Sequence, residues 1–384
     1  MNNLHISLTE FKNESRVLKQ TRSLVNSGLM KKIYIAALYA EGTKEEDQLS
    51  KDIFLKRFRI KSKNSKKNIL AQVLKYLKFC KQIYKEYKNK DINIINVHCL
   101  NLLPLGIMLK YLYKSKLIYD THELETEING SHGIRKQLRK LIEKVCIKYV
   151  DTTFVVSENI ADWYENTYQI RRPTVVMNSP NVYKLQKENC FRKNLPISED
   201  QVIFLYQGML SHGRGIYLLL EAFKKRADNK AVIVFMGYGP MEEEIIKTSI
   251  QFKNIFFHPA VSPNILLTYT ESADVGFALI ENTCLSYYFC MPNKLFEYAM
   301  SGLPVIVSKM KEMSDFVSYN DMGAVTQDLT TASISLSIDK LLNQNLDMLK
   351  NNARKTALLY SWESQEEKMI KEYNEMINGN KANE

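Results

Sequence analysis

A lysine and a glutamate in the second half of the chain have the spacing of a site for a phosphorylated ligand. Lys294 and Glu297 lie three residues apart and so share one face of a helix predicted to start near Pro292. The first turn of this helix, with Asn293, Lys294 and Leu295, offers backbone amides that attract an anion. Glu297, one turn further in, can accept two hydrogen bonds from a vicinal diol such as a ribose.

A glycine-rich turn lies upstream of this helix. The segment VIFLYQGMLSHGRGIYLLLEAF, residues 202–223, predicts an apolar strand, a turn and an amphipathic helix. Gly208, Gly213 and Gly215 permit close backbone approach to a bound anion. Arg214, at the mouth of the turn, has a guanidinium that can hold phosphate oxygens in bidentate fashion. Such turns are common, so the turn alone leaves open that Arg214 is simply solvated.

A histidine in the first half lies where an apolar strand is predicted to end. His122 belongs to LIYDTHELETE, residues 117–127, in which the strand runs into Asp-Thr-His-Glu. A single histidine more often has a structural role than a catalytic one. Its position at the carboxyl end of a strand favours function, because ligands of open α/β sheets bind at that end.

Apolar runs of strand length alternate with amphipathic stretches along the whole chain, which predicts α/β units with parallel sheets. The predicted strands are residues 4–8, 32–39, 92–99, 116–119, 152–156, 174–177, 202–206, 231–236, 254–257, 275–278 and 305–307. The predicted helices of the first half are residues 14–26, 66–87, 133–149 and 158–167. Those of the second half are predicted to begin near Gly215, Pro240, Pro263 and Asn293.

A polar stretch between residues 183 and 198 separates two complete α/β patterns and marks a domain boundary. We therefore expect an α/β protein of two Rossmann-like, doubly wound domains with an interdomain cleft. The domains are residues 1–185 and 198–360. Residues 361–384 predict a C-terminal helix that could pack back on the first domain.

The charge of the chain is strongly positive, with 53 Lys and Arg against 42 Asp and Glu. Residues 51–90 hold fourteen of the basic residues and only two acids, Asp52 and Glu86. Such a block suits nucleic acid, anionic lipid headgroups or a phosphorylated substrate. A solvated helix face would look the same, and the sequence leaves both interpretations open.

Several classes of protein are disfavoured. The six cysteines form no CxxC pair and have no metal-site spacing to histidine, and no Asp-x-Asp occurs. We therefore expect no metal and no cofactor. The N-terminus has charges and no apolar targeting segment, and residues 92–109 are too polar for a membrane span. These features predict a cytoplasmic protein.

The segment SADVGFALIENTCLSYYFCMPNKLFEYAMSGLPVIVS, residues 272–308, resembles the donor-binding signature of retaining GT-B glycosyltransferases in glycosyltransferase family 4. In EYAMSGLPV, Glu297 has the position of the family's donor ribose ligand, and PNK matches the helix start. The family's basic residue after the glycine loop corresponds to Arg214. Many members have another glutamate eight residues before the ribose ligand, where this chain has Phe289. Spacing does not assign that role to Glu281.

Three segments of the first half extend the resemblance. His122 corresponds to the histidine of a YD-x-HE loop, which faces the donor's diphosphate and sugar in similar enzymes. FVVSENIADWY and VVMNSPN, residues 154–164 and 175–181, resemble the elements that flank the interdomain cleft. NESRVLKQTRSLVNSG, residues 13–28, resembles the family's first loop and helix. This match places Arg16, together with Glu123, on the acceptor side.

The resemblance implies a hexosyltransferase that moves a sugar with retention from a nucleotide diphosphate sugar, by preference a UDP-sugar, to a glycan or lipid-linked acceptor. The setting it implies is the biosynthesis of surface polysaccharide, capsule or lipopolysaccharide. Residues 1–185 would be the acceptor side and residues 198–360 the donor side. The implied catalytic residues are His122, Arg214 and Lys294. The implied donor-binding residues are Gly208, Gly213, Arg214, Asn293, Lys294, Leu295 and Glu297.

Two rival interpretations remain. One is a polyanion-binding protein without enzymatic activity that uses residues 51–90, although no nucleic-acid module is recognisable there. The other is a GT-B sugar-nucleotide epimerase, which transfer to an acceptor would distinguish. Residues 66–90 also predict a helix whose apolar stripe packs inward and whose lysines face outward. That arrangement would suit peripheral contact with the anionic inner face of the plasma membrane.

Overall fold

The computed structural model describes residues 1–12, 14–60, 69–186 and 188–379. The chain divides into two compact units. Unit 1 consists of Met1–Val176 with Glu366–Glu384, and unit 2 is Met177–Gln365.

Unit 1 contains a sheet of eight strands. They are β1 (Asn2–Ile6), β2 (Lys32–Leu38), β3 (Glu46–Ser50), β4 (Ile53–Phe58), β5 (Ile92–Val97), β6 (Lys116–Asp120), β7 (Thr152–Val155) and β8 (Thr174–Val175). Their order in the sheet is β3-β4-β2-β1-β5-β6-β7-β8. All neighbours are parallel except β3 and β4, which run antiparallel. The chain order reverses on the two sides of β1, and ligands of such sheets bind at this switch point.

The helices of unit 1 cover both faces of this sheet. They are α1 (Ser15–Asn26), α2 (Ile69–Tyr87), α3 (Leu103–Tyr113), α4 (Gly133–Cys146) and α5 (Glu158–Tyr168), with 3-10 turns at Leu100–Leu102 and Ile147–Tyr149. The connections through α2, α3, α4 and α5 all advance in the same direction across the sheet. Right-handed crossovers therefore place these four helices on one face.

Unit 2 contains a six-stranded parallel sheet. Its strands are β9 (Val202–Met209), β10 (Ala231–Tyr238), β11 (Ile255–Pro259), β12 (Val275–Ala278), β13 (Val305–Val307) and β14 (Gly323–Val325). Their order is β11-β10-β9-β12-β13-β14. The helices are α6 (Cys190–Asn194), α7 (Ile216–Lys224), α8 (Glu242–Gln251), α9 (Leu266–Thr270), α10 (Leu285–Tyr288), α11 (Asn293–Met300), α12 (Lys311–Tyr319), α13 (Thr331–Leu342) and α14 (Leu346–Leu359). The last helix, α15 (Trp362–Asn378), belongs to unit 1 from Glu366 onwards.

The core of unit 2 shows why α11 has a fixed position on the sheet. The hydroxyl of the fully buried Tyr298 accepts from the backbone N–H of Gln207 at 2.9 Å and lies 3.1 Å from the Leu205 carbonyl and 3.2 Å from that of Phe277. A Cβ at Gly276 would lie 2.5 Å from the Tyr298 ring. The glycine therefore makes room for the tyrosine that fixes α11 against β9 and β12.

The predicted α/β class with two Rossmann-like, doubly wound domains is confirmed. All eleven predicted strands are present, whereas β3, β4 and β14 were missed. β3 has the polar sequence EDQLS and β14 has only three residues, so neither gives an apolar run. Among the described residues no helix is long and apolar enough to cross a membrane.

The basic block has a partly structural role. Lys56 pairs with Glu46 and Glu86, at 2.7 Å each, and Arg57 pairs with Asp47 at 2.6 Å. Residues 61–68, with the first three residues of the helix predicted at 66–87, lie outside the described residues.

Candidate functional site

A glycine turn joins β9 to α7 in unit 2. Gly208, Gly213 and Gly215 have φ of +109°, +78° and +69°, which L side chains rarely adopt. Gly215 caps α7, and a Cβ there would lie 2.7 Å from the Cβ of Leu279. The turn is therefore compact, and it presents Arg214 at the start of α7.

The ammonium group of Lys294 lies against this turn. Its Nζ is 3.8 Å from the centroid of the Tyr206 ring, and a Cβ at Gly208 would lie 3.8 Å from the same atom. A Cβ at Gly208 would therefore be in van der Waals contact with the lysine. The guanidinium of Arg214 lies 5.7 Å from the centroid of the Tyr287 ring. Two cations thus meet at the beginning of α11 and α7, and both rest on aromatic rings.

The two cations are electrostatically unfavourable in the absence of an anion. Burial, followed by the positive charge of Arg214, lowers the pKa of Lys294 to about 7, although Glu297 opposes the shift. A lysine at its ordinary pKa would instead stay charged at neutral pH. An anion between Arg214 and Lys294 would relieve their repulsion, which is the behaviour of a preorganised anion site.

Glu297 is oriented by a buried glutamine that sequence analysis missed. The Gln207 side-chain amide donates to Glu297 Oε2 at 2.6 Å and accepts from the Thr270 hydroxyl at 2.8 Å. Gln207 is a buried polar residue at the end of the apolar strand β9. A glutamine in the run VIFLYQGM, just before a glycine, is the signal that could have identified it.

The structure brings Glu281 to the glycine turn. Its backbone N–H donates to the Gly213 carbonyl at 3.1 Å, and a Cβ at Gly213 would lie 4.0 Å from Glu281 Oε2. Phe289, in contrast, follows α10, and its ring lies against that of Tyr288, with centroids 5.3 Å apart. A carboxylate is thus present beside the turn, from a position that spacing could not assign.

The remaining donor-side residues differ in accessibility. Asn293 is exposed at the start of α11, and its side-chain oxygen accepts from the Asn178 amide at 3.0 Å. The Leu295 side chain is fully buried, and its N–H donates to the Pro292 carbonyl at 3.0 Å. Leu295 is therefore used in the core and in the helix cap, whereas Asn293 faces solvent.

A second polar cluster lies in unit 1 at the carboxyl ends of β1, β5 and β6. The buried Asp120 accepts from Arg16 Nε at 3.1 and 3.2 Å, from a second Arg16 nitrogen at 2.6 Å and from the Gln20 amide at 2.9 Å. It also lies 3.1 Å from His98 and 3.3 Å from His122. Burial alone would raise the pKa of Asp120, but Arg16 and the two histidines hold it well below its usual value.

His122, the sequence-predicted catalytic histidine, is half-exposed beside this carboxylate. Because Asp120 is ionised, His122 Nε2 donates to it, and Nδ1 is the nitrogen left to face a ligand. Glu123 is half-buried in the same loop, where its carbonyl accepts from the Thr121 hydroxyl at 2.6 Å. Arg16 is buried and directs its guanidinium to Asp120 and to the Val176 carbonyl.

Two further histidines extend the network into the sheet. His98 Nδ1 donates to Asp120, so its Nε2 accepts from His5 Nδ1 at 3.0 Å, and His5 Nε2 in turn accepts from Asn3 at 3.2 Å. This chain of donors requires both rings to be neutral. Burial accordingly lowers the pKa of His5 and of His98, although Asp120 opposes both shifts.

His98, Asp120 and His122 also have a geometry that could hold a cation, because their ligand atoms lie within 4.8 Å of one another. The guanidinium of Arg16 already binds both oxygens of Asp120. A metal ion would compete with that positive charge. The cluster is therefore better described as an ion pair with hydrogen-bonded histidines.

The donor-side residues all lie within a segment that matches a known family. The Glycosyl transferases group 1 family matches residues 187–356. These residues therefore resemble a Glycosyl transferases group 1 domain. It contains the glycine turn, Arg214, Lys294 and Glu297, whereas Arg16, His122 and Glu123 lie outside the matched segment.

The domain has relatives of known name. The lipopolysaccharide 1,2-N-acetylglucosaminetransferase of Salmonella typhimurium is 26% identical over 226 residues, which cover 55% of this chain and 58% of that protein. The chain thus matches little more than half of this relative's length.

Solved structures show the fold of the whole chain. A sucrose-phosphate synthase from Thermosynechococcus elongatus superposes with a TM-score of 0.82 at 15% identity and covers 99% of this chain and 100% of that one. Anabaena HepE, solved with UDP-glucose, superposes with a TM-score of 0.73 at 11% identity over 97% and 99% of the two chains. These likenesses confirm the GT-B fold implied by the sequence resemblance.

Proposed function

We propose that this protein is a glycosyltransferase that takes a sugar from a UDP-sugar and passes it to a glycan or lipid-linked acceptor. One observation carries the proposal: Lys294 and Arg214 converge on a glycine turn, with Glu297 one helical turn from the lysine. This constellation offers two cations for a diphosphate and a carboxylate for a ribose. The family of residues 187–356 supports it, and Anabaena HepE, of the same fold, was solved with UDP-glucose.

The proposed chemistry is electrostatic. Departure of the diphosphate leaves negative charge on its oxygens and positive charge on the sugar. Arg214, Lys294 and the amides at the start of α11 would neutralise the leaving group, the type of stabilisation that usually dominates such steps. In unit 1, His122 is oriented by Asp120 and has Nδ1 available to a ligand, and we propose that it takes part in the reaction.

We further propose transfer with retention of anomeric configuration. No side chain in the sequence stands out as a protein nucleophile. A front-face route, in which the leaving phosphate helps to deprotonate the acceptor hydroxyl, fits that composition. Proton NMR of the first product formed from a UDP-α-sugar tests this step. An α-linked product supports retention, and a β-linked product refutes it.

The acceptor we propose belongs to surface polysaccharide, capsule or lipopolysaccharide, assembled at the cytoplasmic face of the membrane. The name of the Salmonella relative supports a lipopolysaccharide setting. A screen of UDP-, GDP- and ADP-sugars with glycan and lipid-linked acceptors tests donor and acceptor together. Product without an added acceptor, by inversion at a sugar carbon of the donor, would indicate an epimerase instead.

Glu297→Gln is expected to weaken UDP binding about tenfold or more. The substitution keeps the shape of the side chain and removes the charge from its hydrogen bonds to the ribose, which are worth about 1.5–3 kcal/mol. Isothermal titration calorimetry with UDP measures the change. Affinity equal to that of the wild type would contradict the ribose assignment.

Glu281→Gln is the matched control for Glu297→Gln, because both carboxylates lie near the glycine turn. We propose that Glu281 contacts the transferred sugar in place of a glutamate at position 289. The variant should therefore bind UDP like the wild type and bind the UDP-sugar more weakly. Equal losses for both ligands in the two variants would show a general effect on the turn.

Binding of UDP-glucose is expected to take up a proton above pH 7. Lys294 has a pKa of about 7 in the free protein, and the diphosphate would raise that pKa. Affinity should therefore fall as the pH rises above about 7, by up to tenfold per pH unit until the pKa of the complex is passed. Calorimetry in buffers of different ionisation enthalpy measures the proton uptake directly.

Lys294→Arg tests whether Lys294 is the titrating group, since arginine stays charged at pH 7 and above. UDP-glucose is the right ligand because neither of its phosphates titrates near pH 7. The variant should bind with little dependence on pH and without proton uptake. Proton uptake that persists in Lys294→Arg would assign the titration to another group.

A further inference from the structure

Helix α4 of unit 1 is amphipathic, but its apolar side points away from the protein. The buried residues of α4 are Glu143 and Cys146. The apolar residues at intervals of four, three and four positions form one stripe on the opposite side. They are between 52% and 88% exposed: Ile134, Leu138, Leu141 and Val145.

The inner side of α4 is held by charges. Lys136 and Lys140 each pair with Glu127 at 2.6 Å, and Arg139 pairs with Glu125 at 3.0 Å. Both glutamates belong to the loop between β6 and α4, which also carries His122. The first half of α4 is thus bound to that loop by ion pairs and not by apolar packing.

The second half of α4 is held by a buried carboxylate. Glu143 lies 2.9 Å from the Tyr119 hydroxyl and 2.7 Å from those of Tyr164 and Tyr168, and all three hydroxyls donate to it. The orientation of the helix is therefore fixed by polar contacts. More than half of each apolar side chain in the stripe stays exposed, so packing within unit 1 does not explain the stripe.

The apolar surface continues onto the neighbouring helices. The Tyr111 ring of α3 lies 6.5 Å from that of Tyr149, after α4, and the Tyr84 ring of α2 stacks 6.1 Å from that of Tyr113. Further exposed apolar side chains on this face are Leu74, Leu77, Met108 and Leu112. On α2, the apolar stripe that the sequence predicts to face inward is only partly buried. Ile83 and Tyr87 are buried, whereas Leu77 is exposed.

The exposed charges of these helices have one sign. Within the described residues of α2, α3 and α4 the only acids are Glu86, which pairs with Lys56, and the buried Glu143. The exposed charged residues are Lys78, Lys81, Lys85, Arg135 and Lys144. The neighbouring α5 carries the acids Glu158, Asp162 and Glu165, but all three pair with Arg172. An apolar stripe whose own helix exposes only basic charges is the pattern of a helix that lies in the interface of an anionic bilayer.

We propose that the face formed by α2, α3 and α4 docks on an anionic phospholipid bilayer, with the α4 stripe inserted at the boundary between headgroups and acyl chains. Arg135, Lys144 and Lys85 would meet the headgroups. The sequence predicts membrane contact through the lysines of residues 66–90, and the structure adds α4 as the inserting element. This inference stands on exposure and charge and does not depend on the proposed sugar transfer.

A second copy of the chain fits the same face less well. The intervals of four, three and four residues in the α4 stripe would also suit helix pairing. Two copies would, however, place Arg135 and Lys144 of each against the same basic border of the other, and no exposed acid on α4 would compensate. Phospholipid headgroups supply that negative charge.

Docking would also bring the bilayer close to the loop that carries His122. The ion pairs of Glu125 and Glu127 connect the inner side of α4 directly to this loop. Only α4 would then separate a lipid-linked acceptor in the same bilayer from the loop that carries His122.

Flotation with vesicles tests the proposal without any substrate. The wild type should float with phosphatidylcholine vesicles that contain phosphatidylglycerol, less so as salt rises, and not with phosphatidylcholine alone. Leu138→Gln with Leu141→Gln should lower the partition coefficient at least tenfold. Arg135→Gln with Lys144→Gln should lower it about tenfold at low salt and flatten the salt dependence.

Matched controls come from unit 2. Ile250→Gln with Leu336→Gln removes apolar side chains that are even more exposed than Leu138 and Leu141, and Lys253→Gln with Lys355→Gln removes two exposed lysines. All variants should melt like the wild type, and the controls should float like it. Equal flotation on neutral vesicles, no flotation, or a dimer in light scattering that Leu138→Gln dissociates would overturn the proposal. Loss of flotation with transfer to a soluble acceptor unchanged would separate docking from catalysis.

Discussion

Replacing Arg214 or Lys294 by alanine is expected to lower turnover by about 10²–10³-fold, the scale of losing one preorganised electrostatic donor. Both cations lie at the glycine turn of unit 2, and Lys294 already has a lowered pKa because burial and then the charge of Arg214 disfavour its charged form. That unfavourable charge is present before the ligand arrives and is compensated only when a diphosphate binds. Initial rates with a saturating UDP-sugar measure the loss.

The two cations also differ in a way that the rates should reveal. Removing Arg214 takes away a charge that lowers the pKa of Lys294, so the remaining lysine should become more fully protonated at neutral pH. In Lys294→Ala the remaining Arg214 is already fully charged and cannot compensate in this way. Lys294→Ala should therefore lower turnover more than Arg214→Ala. Lys311→Ala, an exposed lysine on α12, is the matched control and should turn over normally. Wild-type turnover in Arg214→Ala and Lys294→Ala would refute their assignment to the leaving group.

The neighbours of the residues proposed for the donor site could be predicted from sequence because they are local. Gly208, Gly213 and Arg214 lie in one strand, turn and helix, and Lys294 and Glu297 lie in one helix turn, so spacing alone determines their neighbours. Two contacts are exceptions. Gln207 orients Glu297 from another element, and Glu281 reaches the turn through an irregular loop. Neither contact follows from a helical or strand period.

The unit 1 cluster could not be assembled from sequence because its members come from four separate elements. His5, His98 and Asp120 end different strands, and Arg16 lies on α1. Their contacts depend on the sheet order, which sequence reasoning left open. The outward stripe of α4 was missed for a related reason: periodicity identifies an amphipathic helix but not which side is buried. In α4 the ion pairs of Glu125 and Glu127 determine which side of the helix faces the protein.

Asp120→Ala is expected to destabilise unit 1 by about 3–5 kcal/mol, since it leaves the buried guanidinium of Arg16 without its carboxylate. The pKa of Asp120 in the folded protein lies well below its usual value. Its contribution to stability is therefore fully present above the ordinary pKa of an aspartate, about 3.9, and is lost only as the pH falls through the folded value. Urea unfolding at pH 7 thus measures the whole effect.

The measurement must report on unit 1 alone, because two units need not unfold together. The chain has two tryptophans, and Trp362→Phe leaves Trp163 on α5 as the single reporter. In that background Arg16→Met with Asp120→Ala should cost less than the sum of the single changes, since no buried charge is left alone. Arg172→Ala removes a largely solvent-exposed ion pair and should cost no more than about 1 kcal/mol. Strict additivity of the Arg16 and Asp120 changes would show that the two residues stabilise unit 1 independently, and it would contradict a stabilising buried ion pair.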